Sequence, residues 1–341
     1  MAQLEFKRTS PQSARPSLKQ EEVKPVRYFI ILLTLVGLIL TNAISAQPQT
    51  PKAAVNYFEE GLKKTDRGDF DGAIEDFTRA IDISSRLDRA KNSKGQAWTS
   101  SYDAEAAAVT VIDPFTAKAY VNRGVARYRK NDFDGALDDY NTALQIKPNL
   151  PYAFLNRGVV RRSKGDLTGA KADFDRALDL KSDLFEGYNN RGTLRQDLGD
   201  LAGALKDLDR AVSLNPHIAI SFYHRGYIRI GLKDFTGALK DFDRAVQLQP
   251  TLGWAHQGRG TALMNLNRLP EASTEFDKAI ELDPEIREAY LNRGLVRIIL
   301  GNEAGAQEDF ARCLARDPSL KAELEHRIEL ARNLRRLSPK P

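Results

Sequence analysis

The chain has 341 residues, a formal charge of +5, one cysteine and four histidines. A lone Cys313 excludes an internal disulfide framework and any Cys-cluster zinc or iron–sulfur site. It also excludes a lipoprotein anchor, which needs a cysteine just after the export signal.

Residues 1–27 form a polar, basic segment. An apolar run follows from Tyr28 to Leu40, then Thr41-Asn42-Ala43-Ile44-Ser45-Ala46 and Gln47-Pro48. Basic segment, apolar core and small residues come in the order of a secretory signal peptide with cleavage after Ala46. The competing reading is a membrane anchor, because 28–46 is uncharged and spans about 28 Å as a helix. Either way the positive flank stays inside and the remainder lies on the extracytoplasmic side. The charge is uneven too. Residues 1–46 hold six Lys or Arg and three Asp or Glu, which leaves 45 and 43 for the remaining 295 residues. The body of the chain is close to neutral, and its charge gives no reason to expect nucleic acid.

Beyond the leader, Arg-Gly recurs at Arg123-Gly124, Arg157-Gly158, Arg191-Gly192, Arg225-Gly226, Arg259-Gly260 and Arg293-Gly294, always 34 residues apart. Four places before the glycine stands Tyr120, Phe154, Tyr188, Phe222, His256 or Tyr290. Twelve places after it stands alanine, from Ala136 to Ala306. Four further on is a large apolar residue (Tyr140, Phe174, Leu208, Phe242, Phe276, Phe310). Pro148, Pro216, Pro250, Pro284 and Pro318 close the period. An earlier copy begins at Ala54, with Gly61, Phe70, Ala73, Phe77 and Ala80.

Spacings of 3, 4 and 7 predict helices. Pairs such as Asn131-Asp132, Gly165-Asp166 and Gly199-Asp200 break the first helix of each unit. Asp134, Thr168 and Thr236 are then expected as N-caps of the second, and Pro270 suits its first turn. Glycine in one helix and alanine in the other let the two approach closely. A lone hairpin cannot bury its apolar face, but stacked copies can.

These columns resemble the tetratricopeptide repeat, over residues 53–83 and 115–318. The resemblance implies an all-α fold, a right-handed α-α superhelix with seven repeats (53–83, 113–148, 149–182, 183–216, 217–250, 251–284 and 285–318) and a C-terminal capping helix at 319–337. The chain departs from the family in two ways. Arg mostly replaces the usual Leu before the glycine and the usual Tyr three places after it, and Glu303 stands where an apolar residue is usual. Residues 84–112 are an insertion, in which the stretch from Arg89 to Gln96 reads as a loop and Ala104 to Ala108 as helix; it is expected to be either disordered or loosely packed, or a loop that folds over the groove or contacts a partner.

No residue set suggests catalysis, a cofactor or a metal site. The arginines are expected to pair with acids of the second helix: Arg123 with Asp139, Arg157 with Asp173, Arg191 with Asp207, Arg225 with Asp241, Arg259 with Glu275 and Arg293 with Asp309. A part-buried arginine needs such a partner. The preceding column reads Asn122, Asn156, Asn190, His224, Gly258, Asn292. In the family this face lines a concave groove, and in one array of the family that this column resembles, a ladder of asparagines there holds an extended peptide by its backbone. An amide both donates and accepts, which matches one peptide unit of any sequence. The competing reading bonds each asparagine to its own solenoid or to water. Tyr223, Tyr227 and Trp254 are expected to add side-chain selectivity, unless they belong to the core between repeats. The version that grips a terminal carboxylate needs Lys at the fifth place. None of Phe58, Val121, Leu155, Asn189, Tyr223, Gln257 and Leu291 is Lys. The resemblance therefore implies a non-enzymatic scaffold for a protein or peptide partner, attached to a membrane if 28–46 is an anchor. The alternative is an assembly or secretion factor that binds through its convex face or through 84–112.

Overall fold

The structure, a computed structural model, describes residues 50–94 and 104–337. The expected signal or anchor at 28–46 lies outside them. Every regular element among the described residues is a helix. The chain divides into one compact unit ending at Gly187 and another beginning at Tyr188.

The first unit contains α1 (Thr50–Arg67), α2 (Phe70–Lys94), α3 (Ala104–Arg129), α4 (Phe133–Ile146), α5 (Pro151–Ser163) and α6 (Leu167–Leu180). Short turns fold α1 on α2, α3 on α4 and α5 on α6. Each hairpin then packs on the next. Within the insertion, α2 runs on to Lys94, into the stretch expected as a loop, while α3 begins at Ala104, where a helix is expected, and continues without a break through the repeat start at 113.

The second unit holds α7 (Phe185–Asp197) from Tyr188 onward, α8 (Leu201–Leu214), α9 (Ala219–Gly231), α10 (Phe235–Leu248), α11 (Gly253–Asn265), α12 (Leu269–Leu282), α13 (Arg287–Leu300), α14 (Glu303–Arg316) and α15 (Lys321–Leu337). As expected for the capping helix, α15 lays Leu324, Ile328 and Ala331 on Leu291, Leu295, Phe310 and Cys313. Glu303 finds its reason here. It accepts from Arg332 at 3.1 Å and Arg335 at 3.4 Å, both on α15.

The N-caps differ from expectation. Asp132, Asp166 and Asp234 cap the second helices by accepting from Gly135, Gly169 and Gly237 N–H, while Asp134, Thr168 and Thr236 fall inside the first turn. The turn sets the shift. The residue before each capping Asp or Asn is left-handed: Asn131, Gly165, Gly199, Lys233 or Gly301. The reversal is complete one residue later, so the Asp of each pair is the first free to cap.

The glycine of each Arg-Gly pair marks a close approach. A Cβ on Gly124 would sit 2.7 Å from Tyr140, and one on Gly158 would sit 2.6 Å from Phe174. The large residue of the second helix occupies the space where a side chain would stand. This accounts for a helix-interior glycine that costs about 1 kcal/mol in propensity.

Candidate peptide-binding face and its arginine clamps

Each arginine column builds one repeated device. In the first unit, Arg157 donates from Nε (2.9 Å) and Nη2 (2.6 Å) to the two oxygens of Asp173. Arg161, four residues on, donates to the same carboxylate at 2.9 Å and to Gly169 O at 3.4 Å. The remaining Nη1 of Arg157 reaches back to Asn141 Oδ1 of the preceding repeat at 2.7 Å. Phe154 lies under the guanidinium at 5.3 Å. The guanidinium thus ties three helices together and is stacked as well as paired.

The same clamp joins Arg123 and Arg127 to Asp139. In the second unit it joins Arg191 and Arg195 to Asp207, Arg225 and Arg229 to Asp241, and Arg293 and Arg297 to Asp309. The five aspartates are only 1–3% exposed. Burial pushes the Asp139 and Asp241 carboxyls up from their ordinary value, against the hydrogen bonds from Arg123 and Arg225. Burial works against the charge of Arg225 too, but the hydrogen bonds that it donates to Asp241 and Asp209, with the charges of both carboxylates, prevail and raise its pKa. The repeat of Arg259 is built differently. Glu275 accepts from Arg259 at 2.9 Å, and His256 Nδ1 lies 2.8 Å from its second oxygen. Leu263 stands where the second arginine would be. The second arginines are a structural column whose role the sequence reading did not assign.

The asparagine face is more enclosed than expected. Asn122, Asn190 and Asn292 are buried, and Asn156 is 0% exposed. Two are engaged internally: Asn122 Nδ2 donates to Lys118 O at 2.8 Å, and Asn292 Nδ2 to Thr261 Oγ1 at 3.3 Å. Asn156 differs, since neither its Oδ1 nor its Nδ2 has a hydrogen-bond partner; Asn190 Oδ1 also lacks one. Tyr223 is buried in the core and meets Tyr227 edge-on at 4.9 Å. His224 is half-buried against the Tyr223 ring at 5.1 Å. Tyr227 and Trp254 are half-buried over the same core. Much of the expected groove lining is therefore packing between repeats. Gly258, which interrupts the ladder, shows how closely a first helix meets the second helix of the preceding repeat: its Cβ would come within 2.3 Å of Phe242 on α10.

A polar chain runs across these helices in the second unit. Tyr227 OH donates to Gln257 Oε1. Gln257 Nε2 donates to Thr261 Oγ1 at 3.1 Å, which also accepts from Asn292. Burial, then the neighbouring Tyr223 and Glu288, push the Tyr227 pKa well above its ordinary value. The Arg-Gly columns gave no sign of Gln257 and Thr261 as a pair, but their i, i+4 spacing on one helix was a usable signal. Among the described residues no group of three or more His, Cys, Asp or Glu is placed to hold a metal ion, and no helix is long and apolar enough to cross a membrane.

Comparison with known proteins agrees with this architecture. Tetratricopeptide repeat family models match residues 117–150, 189–252 and 258–320. No curated protein gives a significant match to the chain. Among solved structures, a tetratricopeptide repeat protein from Parabacteroides merdae is 16% identical over 82% of this chain and 99% of its own, with a TM-score of 0.54. PilF of Pseudomonas aeruginosa is 17% identical over 62% and 97%, with a TM-score of 0.57. The Cut9-Hcn1 hetero-tetramer of APC/C is 14% identical over 80% of this chain and 54% of its own, with a TM-score of 0.58. The fold is that of an α-solenoid of helical hairpins. The matched segments are similar to the tetratricopeptide repeat.

Proposed function

We propose that the array is a scaffold that holds an extended segment of a partner protein against the first helices of its repeats. The buried amide of Asn156, with both polar atoms unbonded, carries this reading. Such a group costs about 1–3 kcal/mol of desolvation for each unmade bond. One peptide unit supplies the donor and the acceptor that it lacks. Asn190, with its unbonded oxygen, is the second candidate. Asn122 and Asn292 contribute less, since they already have internal bonds. Because Asn156 is buried in the free chain, binding requires this face to open. Binding through 84–112 or the convex face has no comparable observation behind it.

Random-peptide display on the chain, followed by calorimetry on the retained peptides, tests the reading. Asn156→Ala with Asn190→Ala should lower affinity at least tenfold while leaving the melting temperature unchanged or raised. Failure to retain any peptide, or unchanged affinity in the double variant, would overturn it.

We further infer that the repeat count is seven, extending the matched residues to 53–83 and 149–182, and that residues 28–46 direct export. N-terminal sequencing of the mature chain checks the second point. A mature N-terminus near Gln47 means a cleaved signal. An intact leader in the membrane fraction means an anchor, and an intact leader in the cytosol refutes export.

A further inference from the structure

One clamp lacks its second guanidinium. Asp139, Asp173, Asp207, Asp241 and Asp309 each take two arginines, but Leu263 stands where the second arginine of Glu275 would be. His256 meets Glu275 instead, from the column that elsewhere supplies a Tyr or Phe ring. Its Nδ1 lies 2.8 Å from Glu275 Oε2, and its Nε2 lies 3.1 Å from Pro250 O. Both side chains are shielded from water, His256 at 9% and Glu275 at 14% exposed. A carbonyl oxygen only accepts, and so does an ionised carboxylate. Neutral imidazole has one N–H and can serve one of them. Serving both takes the imidazolium. Arg259 donates to the other oxygen of Glu275 at 2.9 Å, which suits an ionised carboxylate.

We propose that His256 is the second cation of this clamp, doubly protonated in the folded chain, and that it makes the α11–α12 hairpin a pH-sensitive joint. Arginine stays protonated, so the clamps with two arginines keep both cations. Loss of one proton from His256 leaves either Glu275 Oε2 or Pro250 O facing a lone pair. Pro250 lies in the turn from α10 and Glu275 on α12, so one of the ties between α11 and these two elements is given up. Helices α9, α10, α12 and α13 all pack on α11, and their other charged groups bond elsewhere. Arg229 of α9 pairs with Asp241 at 2.8 Å, Asp243 of α10 with Arg259 at 2.7 Å, Glu271 of α12 with Arg268 at 2.6 Å, and Arg287 and Glu288 of α13 with each other at 2.9 Å. A proton held more firmly in the folded chain than in the unfolded one adds stability at low pH, and this is lost as pH rises.

The imidazole nitrogen–proton spectrum of the full wild-type chain reads the proposal directly. Both nitrogens of His256 should carry protons at a pH where those of the exposed His217 and His326 have lost one. The chain has only four histidines, and this spectrum decides even if a variant fails to fold. His256→Phe restores the ring of the neighbouring repeats without a titrating group. Relative to that variant, the wild-type melting temperature should rise by about 2–4 °C from about pH 9 down to about pH 6. Glu275→Gln keeps an acceptor but no charge, and in that background the same comparison should not vary with pH. A proton on Nε2 alone throughout this range would place the shared proton on Glu275 and overturn the proposal. So would a wild-type advantage that is constant or grows with pH, or a pH dependence that survives Glu275→Gln.

Discussion

The two units use the same backbone position at the end of the first helix in opposite ways. In the unit ending at Gly187, Lys130 pairs with Asp71 and Lys164 with Asp134, each bridging to the preceding repeat. In the unit beginning at Tyr188, the column becomes Leu198, Leu232, Leu266 and Leu300, with Leu198 and Leu300 each 51% exposed and Leu232 42% exposed. The arginine clamp, by contrast, is the same device in both units. The clamp sits where three helices converge and any change leaves a buried charge. The edge faces water, where an exposed ion pair is worth only about 0–1 kcal/mol. Packing therefore fixes one column and leaves the other free to vary.

The largest expected effect comes from breaking the clamp in each unit. Asp173→Ala leaves Arg157 with only the neutral Asn141, whereas Asp241→Ala leaves Arg225 its second acid, Asp209, at 2.9 Å. The first should cost about 3–5 kcal/mol in urea unfolding. The second should cost less, because one charge partner remains. A loss below about 1 kcal/mol in either would mean that solvent reaches its arginines. Glu275→Ala should cost less, since Arg259 is half-exposed and keeps Asp243 at 2.7 Å.

Next in size is the close approach of the paired helices. Gly158→Ala forces its methyl toward the Phe174 ring at 2.6 Å, whereas Gly192→Ala meets the branched, more adaptable Leu208 at 2.9 Å. Overpacking of this kind costs about 1–3 kcal/mol, and the loss should be larger for Gly158. Equal losses by calorimetry would show that the ring yields as easily as the leucine.

Each unit also carries one flaw that can be repaired. Tyr140 fills the column held elsewhere by Phe or Leu, and its hydroxyl is buried without a partner. Tyr140→Phe should gain about 1 kcal/mol. In the second unit Lys233 adopts a left-handed conformation, at φ 64. Lys233→Gly should gain about 1 kcal/mol by removing the Cβ strain. Both appear as a rise in melting temperature. A fall for Tyr140→Phe would mean that the hydroxyl is bonded after all.

The sequence carried the period, the helices and the arginine partners, because these are set by spacing along one chain. Asp173 lies sixteen residues after Arg157 in a hairpin whose turn brings the two together. The second arginine was legible as a departure from the family but not as a clamp arm. Its partner is already taken by the first arginine, and only the geometry shows one carboxylate serving both. Exposure of the asparagine face was not legible. It depends on how closely each first helix packs on the preceding repeat, which is fixed by contacts such as Gly258 on Phe242 rather than by any one repeat. The stretch from Arg89 to Gln96 reads as a loop from its composition, yet α2 continues to Lys94, past the end of the periodic hairpin.

The smallest expected effect bears on whether the clamp carboxylates behave alike in the two units. Asp139 in the first and Asp241 in the second are both shifted upward from the ordinary value of 3.8, by burial first and against their arginines. A group with a higher pKa in the folded state binds a proton more readily when folded. Its contribution to stability is present below the unfolded value and lost as pH rises through the folded one. Asparagine does not titrate, so comparison with Asp139→Asn and Asp241→Asn isolates this contribution from every other group. The stability gap between wild type and each variant should therefore widen as pH falls from about 6 toward 3, and to a similar extent in the two units. A gap that narrows on acidification would mean that the arginines hold the carboxylate below its ordinary value. The clamp would then lose stability in acid, and pairing would outweigh burial at that repeat.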